Sequence, residues 1–287
     1  MEINYSFIIP HKNAPELLRR CIASIPQRED VQIIVVDDNS EKEKKPVVER
    51  ENVMIVEIDS KDSKGAGHAR NIGLSQAKGK WILFADADDA FSPNLKTLME
   101  QNENSDAQVV YYGFTKIQGD KAYKVKRWER KETINNNQQF AMKFGFTEPW
   151  NKMVKHDFIK RHNILFEECP VGNDIFYTYQ VGYFVKGNFE VFPEPVYNYY
   201  VTSGSIVHKK KNTEQYYVTI CKHVYQCNAF WKYIGRKRHS KNMLKKLAAI
   251  WMKKGTGQFF FALRVYLSHY HEILSDRNKF VNHFKKQ

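Results

Sequence analysis

The sequence contains little cysteine and no long apolar segment, and both absences exclude classes of protein. Its four cysteines, at positions 21, 169, 221 and 227, lie too far apart for a zinc ribbon or a CxxC redox pair, and a chain of 287 residues does not need a disulfide scaffold. No apolar run approaches the roughly 20 residues that span a bilayer. The apolar stretch Phe7–Ile9 has no basic flank and stops at Pro10, which does not fit a signal peptide. We therefore expect a soluble, cytoplasmic protein with reduced thiols.

An excess of positive charge is absent from most of the chain, although the net charge is +13. Residues 1–100 carry 14 Lys and Arg against 17 Asp and Glu, whereas residues 209–287 carry 18 against 3. A basic tail on a near-neutral body indicates a separate docking surface. No motif of a nucleic-acid reader is present, so no nucleic-acid partner is expected. The predicted domains are a body over 1–208 and a basic, helical C-terminal region over 209–287.

The body begins with short β-branched runs that alternate with helical patterns. These patterns predict strands at 5–10, 32–36, 53–58, 81–85 and 107–114, and helices at 15–25, 68–78 and 94–102. The runs at 32–36 and 81–85 are nearly continuous in apolar residues, which is typical of strands buried on both faces of a parallel sheet. The alternation predicts an α/β fold, with a doubly wound, mostly parallel sheet flanked by helices.

The pattern is less regular from residue 116 onward. A charged hairpin or loop is predicted at 121–131, helices at 133–146 and 174–184, and a strand at 189–200. Trp150-Asn151-Lys152 is predicted to begin a further helical stretch, and only helices are predicted beyond residue 216.

Polar clusters follow three of the predicted strands. The clusters are Pro10-His11-Lys12-Asn13, Asp37-Asp38-Asn39-Ser40 and Asp86-Ala87-Asp88-Asp89. In open α/β sheets the ligand crevice lies at the carboxyl ends of the strands. Parallel pairing would therefore bring the three clusters to one rim.

The third cluster is a candidate metal site. Residues two apart in an extended chain point to the same side, so Asp86 and Asp88 project together. Carboxylates this close repel one another unless a cation compensates, and hard oxygen ligands suit Mg²⁺ or Mn²⁺. The alternative interpretation is a solvated acidic turn.

Two other side chains are candidates for binding a nucleotide. Asp38 could accept hydrogen bonds from a base imide or a ribose hydroxyl, or it could be an ordinary turn residue. Arg70 lies one turn into a helix that follows Gly65 and Gly67, where its guanidinium and the helix N-terminus suit a diphosphate; the alternative is a surface arginine. No Gly-Lys-Ser/Thr follows the glycines, so the loop is not a P-loop.

In this order, the segments IIPHKN, VVDDNS and GAGHARNIGLSQAKGKWILFADADD resemble the motifs of the family 2 inverting glycosyltransferases of the GT-A fold. The later segment EPWNKMVKHDFIKRHNILFEECPVGNDIFYTYQ is similar to that of bacterial members of the surface-polysaccharide type. The resemblance covers residues 3–208 and leaves the basic tail outside it. It implies a nucleotide-binding half over 1–115 and an acceptor half over 116–208.

The resemblance also implies roles for individual residues, position by position. Pro10 and Asn13 would line the nucleotide pocket, and Asp38 would contact the uracil or equivalent base. Arg70 would neighbour the diphosphate, and Asp86 would bind the ribose or a metal-bound water.

The resemblance places two further carboxylates at the reaction itself. Asp88 would be the direct ligand of Mn²⁺ or Mg²⁺, and Asp174 in the GNDIF segment would be the general base that takes the proton from the acceptor hydroxyl. The sequence departs from the family at His11-Lys12, where an aromatic residue is usual, and at Asn173, where Glu is usual.

Three residues are candidate contacts for the acceptor or the diphosphate. Trp150 could stack on a sugar face or belong to the core, and Lys152 follows it in the same motif. His208 lies near the predicted domain boundary, and its alternative is a surface histidine beside a run of lysines.

The basic tail contains amphipathic helical patterns. Leu244, Leu247, Ala248 and Trp251 have the spacing of one helix face, with lysines beside them. This pattern fits a helix that lies on an anionic membrane, here the inner face of the plasma membrane, or two helices that pack together with their lysines outward. A lipid-linked acceptor or an anionic glycan would also match the charge.

Together the motifs predict a metal-dependent inverting glycosyltransferase that moves a sugar from a nucleotide-sugar donor, expected to be a UDP-sugar, to a glycan or glycolipid hydroxyl in cell-surface polysaccharide synthesis. One alternative is a nucleotidyltransferase, which usually has a glycine- and lysine-rich first loop where this chain has PHKN. The other is an inactive nucleotide-sugar-binding protein, for which Asn173 is the only indication.

Overall fold

A computed structural model of the chain describes residues 2–125, 134–201, 213–236 and 242–286. The strands are β1 Tyr5–His11, β2 Val31–Asp37, β3 Val53–Glu57, β4 Trp81–Phe84, β5 Ala90–Phe91, β6 Val109–Gln118, β7 Lys121–Val125, β8 Lys152–Lys155 and β9 Phe189–Tyr200. The helices are α1 Pro15–Ala23, α2 Ala66–Gln76, α3 Asn94–Asn102, α4 Asn136–Phe144, α5 His156–Arg161, α6 Asn173–Phe184, α7 Glu214–Tyr233, α8 Met243–Lys254, α9 Thr256–Ser268, α10 Tyr270–Ser275 and α11 Lys279–Lys285. Two compact units contain them: residues 1–168 with 173–203, and residues 169–172 with 204–287.

The first unit is built on one sheet in the order β3-β2-β1-β4-β8-β6-β9-β5, with β7 paired to β6. Strands β3, β2, β1 and β4 are mutually parallel, as the apolar runs predict. Beyond β4 the sheet is mixed, because β8 is antiparallel to both β4 and β6, whereas β9 is parallel to β6. The α/β fold flanked by helices is confirmed, with the parallel part concentrated where the polar clusters lie.

Strand β1 shows how the sheet is held between two apolar layers. Its side chains alternate between the faces, as the period of two in a strand requires. Tyr5, Phe7 and Ile9 pack in one cluster with residues of α1 and α3, while Ile8 packs in the other with residues of α2 and α6. Every residue of β2 is buried, which agrees with the nearly continuous apolar run in the sequence.

The helical prediction at Trp150 is wrong in its position. Pro149–Asn151 form one 3-10 turn, Lys152 begins strand β8, and helix α5 starts only at His156. The physical reason is tertiary, since Lys152–Lys155 insert between β4 and β6 and form backbone hydrogen bonds with both strands. Local patterning carries no information about these partners.

The described part of the second unit from residue 213 onward contains helices and no strand, as predicted. Its core joins α7, α8, α9 and α10 through Tyr217, Val218, Cys221, Leu247, Ala262, Val265 and Ile273. The predicted apolar face of α8 is divided: Leu247 is buried, whereas Leu244 and Trp251 are exposed. Among the helices described, none is both long enough and apolar enough to cross a bilayer.

Candidate active site

The carboxyl ends of β2, β1 and β4 lie side by side. The Asp38 N–H donates to the His11 carbonyl at 2.9 Å, and the Ala85 N–H donates to the Ile8 carbonyl at 3.1 Å. Only β1 separates Asp38 from Asp86, which corresponds to about 10 Å at the usual spacing of strands. The structure therefore places the three polar clusters on one edge of the sheet.

His11 is a buried structural residue in the first cluster. Its Nδ1 lies 2.7 Å from Asp37 Oδ1, and its Nε2 accepts the Ala14 N–H at 3.1 Å. Because Nε2 is an acceptor, we assign the ring proton to Nδ1, which donates to Asp37. This pairing explains how histidine is accommodated at a buried position where the family usually has an aromatic ring.

Asn13 joins the loops after β1 and β2. It has a left-handed backbone, with φ of 57°, its N–H donates to Ser40 Oγ at 2.8 Å, and its Oδ1 accepts the Glu41 N–H at 2.8 Å. Pro10 is half-buried in β1, opposite Val36 of β2. These contacts fix the shape of the loops around Asp38.

Asp38 is a buried carboxylate with an unused acceptor. Its side chain is near Lys12, whose Nζ lies 3.6 Å from Oδ2. Within the described residues, the buried Oδ1 has no hydrogen-bond partner. Buried acceptors in native proteins are nearly always satisfied, so this oxygen suits a donor supplied by a ligand.

Arg70 connects three parts of the rim. It is only 5% exposed; its Nη2 donates to Asp86 Oδ1 at 2.6 Å and its Nη1 donates to Asn173 Oδ1 at 2.9 Å. The guanidinium also lies 5.3 Å from the centre of the Phe166 ring. The alternative interpretation of Arg70 as a surface arginine is therefore excluded, and Asn173 supplies the acceptor oxygen at the position where the family usually has a glutamate.

Gly67 allows helix α2 to approach the start of α6. A Cβ at this position would lie 2.3 Å from the Glu167 carbonyl oxygen and 2.9 Å from Asn173 Cβ. Such distances are far below normal contacts, so any side chain here would push α2 away from Glu167 and Asn173. The glycine in the GAGHAR segment thus serves the packing that brings Arg70 to Asn173.

The backbone of the acidic loop is held by residues of β9. The Asp86 N–H donates to the Tyr197 hydroxyl at 2.9 Å, and Asp89 Oδ1 accepts the Tyr200 N–H at 2.8 Å. Asp89 is buried, and its burial together with the charge of Asp86 raises its pKa to about 8. Asp89 is therefore a residue that shapes the loop.

Asp86 and Asp88 are the carboxylates that remain accessible. Asp86 is 33% exposed, and Asp88 is half-buried. Burial and the negative charge of Asp86 raise the pKa of Asp88 above its usual value. Two neighbouring oxygen donors with excess negative charge match the chemistry of Mg²⁺ and Mn²⁺, so the residues present fit a divalent ion.

Asp174 lies near the same group of charges, in the first turn of α6. Burial raises the pKa of its carboxyl, the positive charge of Arg70 lowers it, and the charges of Asp86 and Glu148 raise it further. A carboxylate whose pKa is raised toward the working pH is a better general base. Asn173, the residue before Asp174, accepts a hydrogen bond from Arg70, so the start of α6 lies beside the Arg70–Asp86 pair although these residues are far apart in sequence.

Two of the candidate acceptor or diphosphate contacts are interior residues. Trp150 is 3% exposed, and its ring stacks with those of Tyr197 and Tyr199 at 4.5 Å and 5.7 Å between centroids. Lys152 is fully buried, and its Nζ donates to the Glu148 carbonyl at 2.6 Å. Neither presents a surface to a ligand, so the core interpretation of Trp150 applies. His208 lies outside the described residues.

The sequence reasoning missed the residues that support the acidic loop. Arg20 of α1 donates to the Asp88 carbonyl across 68 positions, and its guanidinium lies 4.0 Å over the Tyr200 ring. Tyr197 reaches Asp86 across 111 positions. Such contacts leave no local periodicity, so no signal in the single sequence could have identified them.

A family model connects this geometry to known proteins. The model described as "Glycosyl transferase family 2" matches residues 6–162, which include all three polar clusters. The chain belongs to glycosyl transferase family 2. The enzyme class expected from the motifs, a glycosyltransferase, is thereby confirmed at the level of the family.

Relatives of this family 2 chain are found among bacterial proteins. Over 125 residues it is 30% identical to Glycosyltransferase GlyG of Streptococcus pneumoniae serotype 4, covering 40% of this chain and 41% of GlyG. Over 180 residues it is 28% identical to the poly(ribitol-phosphate) beta-glucosyltransferase of Bacillus spizizenii, covering 56% of this chain and 26% of that protein. The chain thus spans less than half of the length of either relative.

A solved structure supports the fold of this chain. Residues 1–349 of Staphylococcus aureus TarS, in complex with UDP-GlcNAc, match it with a TM-score of 0.63 and 17% identity, covering 98% of this chain and 89% of that one. This likeness confirms the GT-A fold class predicted from the motifs.

Proposed function

We propose that the chain is a metal-dependent inverting glycosyltransferase that moves a sugar from a UDP-sugar to an acceptor hydroxyl in bacterial cell-surface polysaccharide synthesis. The observation that carries this proposal is Arg70, which joins Asp86 and Asn173 beside Asp174 at the rim. A donor diphosphate, a divalent ion and a general base would all be needed within this small volume.

The donor would lie across the tips of β2, β1 and β4. The buried Oδ1 of Asp38 would accept the imide N–H of the base, and Pro10 and Asn13 would line the same pocket. Arg70 and the N-terminus of α2 would face the diphosphate, because a guanidinium and free helix amides both favour phosphate oxygens. The TarS structure with UDP-GlcNAc has the same fold, which supports a uridine nucleotide as the first donor to test.

Asp88 would be the direct ligand of Mn²⁺ or Mg²⁺, and Asp86 would hold the ion together with the ribose. When bound, the ion supplies Lewis-acid stabilisation of the negative charge on the leaving diphosphate. The chain itself fixes the loop through Tyr197 and Arg20, so that the two carboxylates are oriented before the donor arrives.

Asp174 would act as the general base. As its carboxylate takes the proton from the acceptor hydroxyl, the acceptor oxygen bonds to the anomeric carbon and the bond from that carbon to the diphosphate oxygen breaks. Attack from the side opposite the leaving group inverts the anomeric configuration. A relative is a poly(ribitol-phosphate) beta-glucosyltransferase, which supports a surface glycopolymer as the acceptor class.

The proposal is tested by thermal unfolding and donor hydrolysis with the full chain. UDP-sugars with Mn²⁺ should raise the unfolding temperature as their concentration rises, and slow hydrolysis should accompany binding. Asp88→Asn should lose the Mn²⁺-dependent part of both signals. The matched control is Asp157→Asn, whose side chain is 86% exposed, and it should behave as the parent protein.

Two results would overturn the proposal. One is a parent protein that no nucleotide sugar stabilises, with or without Mn²⁺. The other is Asp88→Asn with the metal response of the parent, which would remove the assigned ligand.

A further inference from the structure

Helices α8 and α9 of the second unit each expose large apolar side chains seven residues apart, which lie on one side of their own helix. We call this surface the outer apolar face. Its members are between 54% and 78% exposed: Leu244, Trp251, Met252, Phe260 and Leu267. Exposed apolar side chains gathered in this way, unlike single ones, mark surfaces that bind a partner.

The outer apolar face is distinct from the side of α8 that packs in the core. Leu247 is buried in the unit, with Met243 and Ile250 packed against the same cluster. At about 100° per residue, Leu244 and Trp251 occupy the neighbouring sector of the helix. Packing within the unit therefore does not account for their apolar character.

Lysines border the outer apolar face. Lys245 and Lys253 of α8 are exposed. At about 100° per residue, Lys245 lies about 20° beyond Met252 around the helix, and Lys253 lies about 100° beyond it. Helices that bind the interface of a bilayer combine an apolar sector with a lysine-rich sector, so that the apolar side chains enter the membrane and the cations contact the headgroups.

An aromatic cluster covers the corner between α8 and α9. The two helices meet at Gly255, which has a φ of 84°, and Trp251 Nε1 donates to Thr256 Oγ1 at 3.2 Å across this corner. The Trp251 and Phe259 rings are 6.1 Å apart, and those of Phe259 and Phe260 are 5.3 Å apart. Tryptophan with an apolar body and a polar N–H prefers the water–lipid boundary.

Acidic residues are absent from α8 and α9, the two helices that carry this face. Residues 209–287 contain only three acidic side chains, and all of them are held on α7, α10 and the following turn. Glu272 and Asp276 each lie 2.7 Å from Lys222 Nζ, and Glu214 lies 2.6 Å from His269 Nε2. Residues 242–268 contain four lysines and one arginine and no acid.

We propose that the outer apolar face docks onto the surface of an anionic lipid bilayer. The apolar side chains would enter the interface while the bordering lysines contact lipid phosphates. A soluble polyanion would match the charge and leave the apolar side chains in water. A second copy placed face to face would bring two acid-free basic surfaces together, which charge repulsion opposes. The proposal goes beyond sugar transfer and does not depend on it.

The test is co-sedimentation of the full chain with vesicles of phosphatidylcholine, with and without phosphatidylglycerol. Binding should require the anionic lipid, fall by about fivefold for each of Lys245→Gln and Lys253→Gln, and weaken in 1 M salt. Met252→Ser/Phe260→Ser should lose at least about tenfold in binding, because two apolar side chains would no longer enter the membrane interface. Brominated lipids should quench the tryptophan fluorescence of the parent and not that of Trp251→Phe.

The matched control is Val47→Ser, which changes an apolar residue of the first unit that is 65% exposed, and its vesicle binding should equal that of the parent. Asp174→Asn should also bind vesicles normally, which separates this proposal from the one on sugar transfer. The proposal is overturned if no vesicle binds at about 0.1 M salt, or if only soluble polyphosphate binds. Self-association lost in Met252→Ser/Phe260→Ser without vesicle binding would overturn it as well, since the face would then join two copies.

Discussion

In the first unit, Arg70 and Asp38 are buried at the edge of a sheet, whereas in the second unit Lys245 and Lys253 stand exposed on one helix. The buried charges are held at fixed distances, such as the 2.6 Å between Arg70 Nη2 and Asp86 Oδ1. The exposed lysines have neighbours of the same sign and act through their summed field. The net charge of +13 therefore combines two uses of charge: individual positioning in the sheet and collective attraction in the helices.

The largest expected effect is the fall in kcat when the proposed base, Asp174, is replaced. Asp174→Asn keeps the size of the side chain and removes its ability to take a proton, so kcat should fall by about 10²- to 10⁴-fold. Donor binding, measured by the shift in unfolding temperature with UDP-sugar and Mn²⁺, should be retained. Unchanged turnover in this variant would remove Asp174 from the mechanism.

The pH dependence of kcat/KM sharpens the same assignment. Asp174 must be deprotonated to act, and burial raises its pKa, so activity should rise with pH through a midpoint above the ordinary value of about 3.9. Arg70 lowers this pKa through its positive charge, and Arg70→Met should therefore move the acid side of the profile to higher pH. A profile that does not move in Arg70→Met would show that the titrating group lies elsewhere.

The next largest effect should be on stability, at Arg70. Arg70→Met leaves Asp86 and Asn173 without their shared donor, and breaking a buried ion pair on one side costs about 3 to 5 kcal/mol. Because Asp86 is one-third exposed, water recovers part of this, and we expect the lower end of the range in urea unfolding. Arg70→Lys should recover only a fraction, since lysine lacks the two-pronged geometry. A loss below about 1 kcal/mol would show that the pair is not formed.

The parallel part of the sheet was predictable because its strands carry their own signal. β1, β2 and β4 are apolar runs buried on both faces, and α3 has the bounds that its periodicity predicts. Strand β8 was not predictable, because its sheet partners begin 71 positions before it at Trp81 and 43 before it at Val109. Sequence patterns thus predict which strands are buried better than they predict which strands pair with each other.

In the candidate site, too, the residues at the strand tips were predictable from the sequence, whereas their long-range contacts were not. The motifs identified Asp38, Arg70 and Asp86 because strand tips in a parallel sheet converge on one edge. They did not reveal that Arg70 donates to Asn173, which lies 103 positions away, nor that Trp150 is stacked beneath the rim by Tyr197. Both contacts depend on how the mixed part of the sheet, with its helices, packs next to the parallel part.

A smaller effect is expected at His11, where the first unit tolerates an unusual residue. His11→Phe restores the aromatic character usual in the family but removes one donor to the buried Asp37, which keeps its hydrogen bonds from Ser40. Leaving part of a buried carboxylate unsatisfied costs about 1 to 3 kcal/mol, which urea unfolding would measure. Unchanged or higher stability would mean that Ser40 alone satisfies Asp37.

The smallest difference should lie within the second unit, between two adjacent lysines of α8. Lys254 Nζ lies 5.5 Å and 5.8 Å from the ring centres of Tyr216 and Tyr217, whereas Lys253 is exposed. Lys254→Gln should cost about 0.5 to 1 kcal/mol of unfolding free energy through these rings, and Lys253→Gln should change it by less than about 0.5 kcal/mol. Both variants remove one positive charge from the same helix. A loss of unfolding free energy common to both therefore reflects the summed charge of the helix, and the difference between them reflects the contact of Lys254 with the two rings. Equal losses would mean that Lys254, too, acts only through its charge.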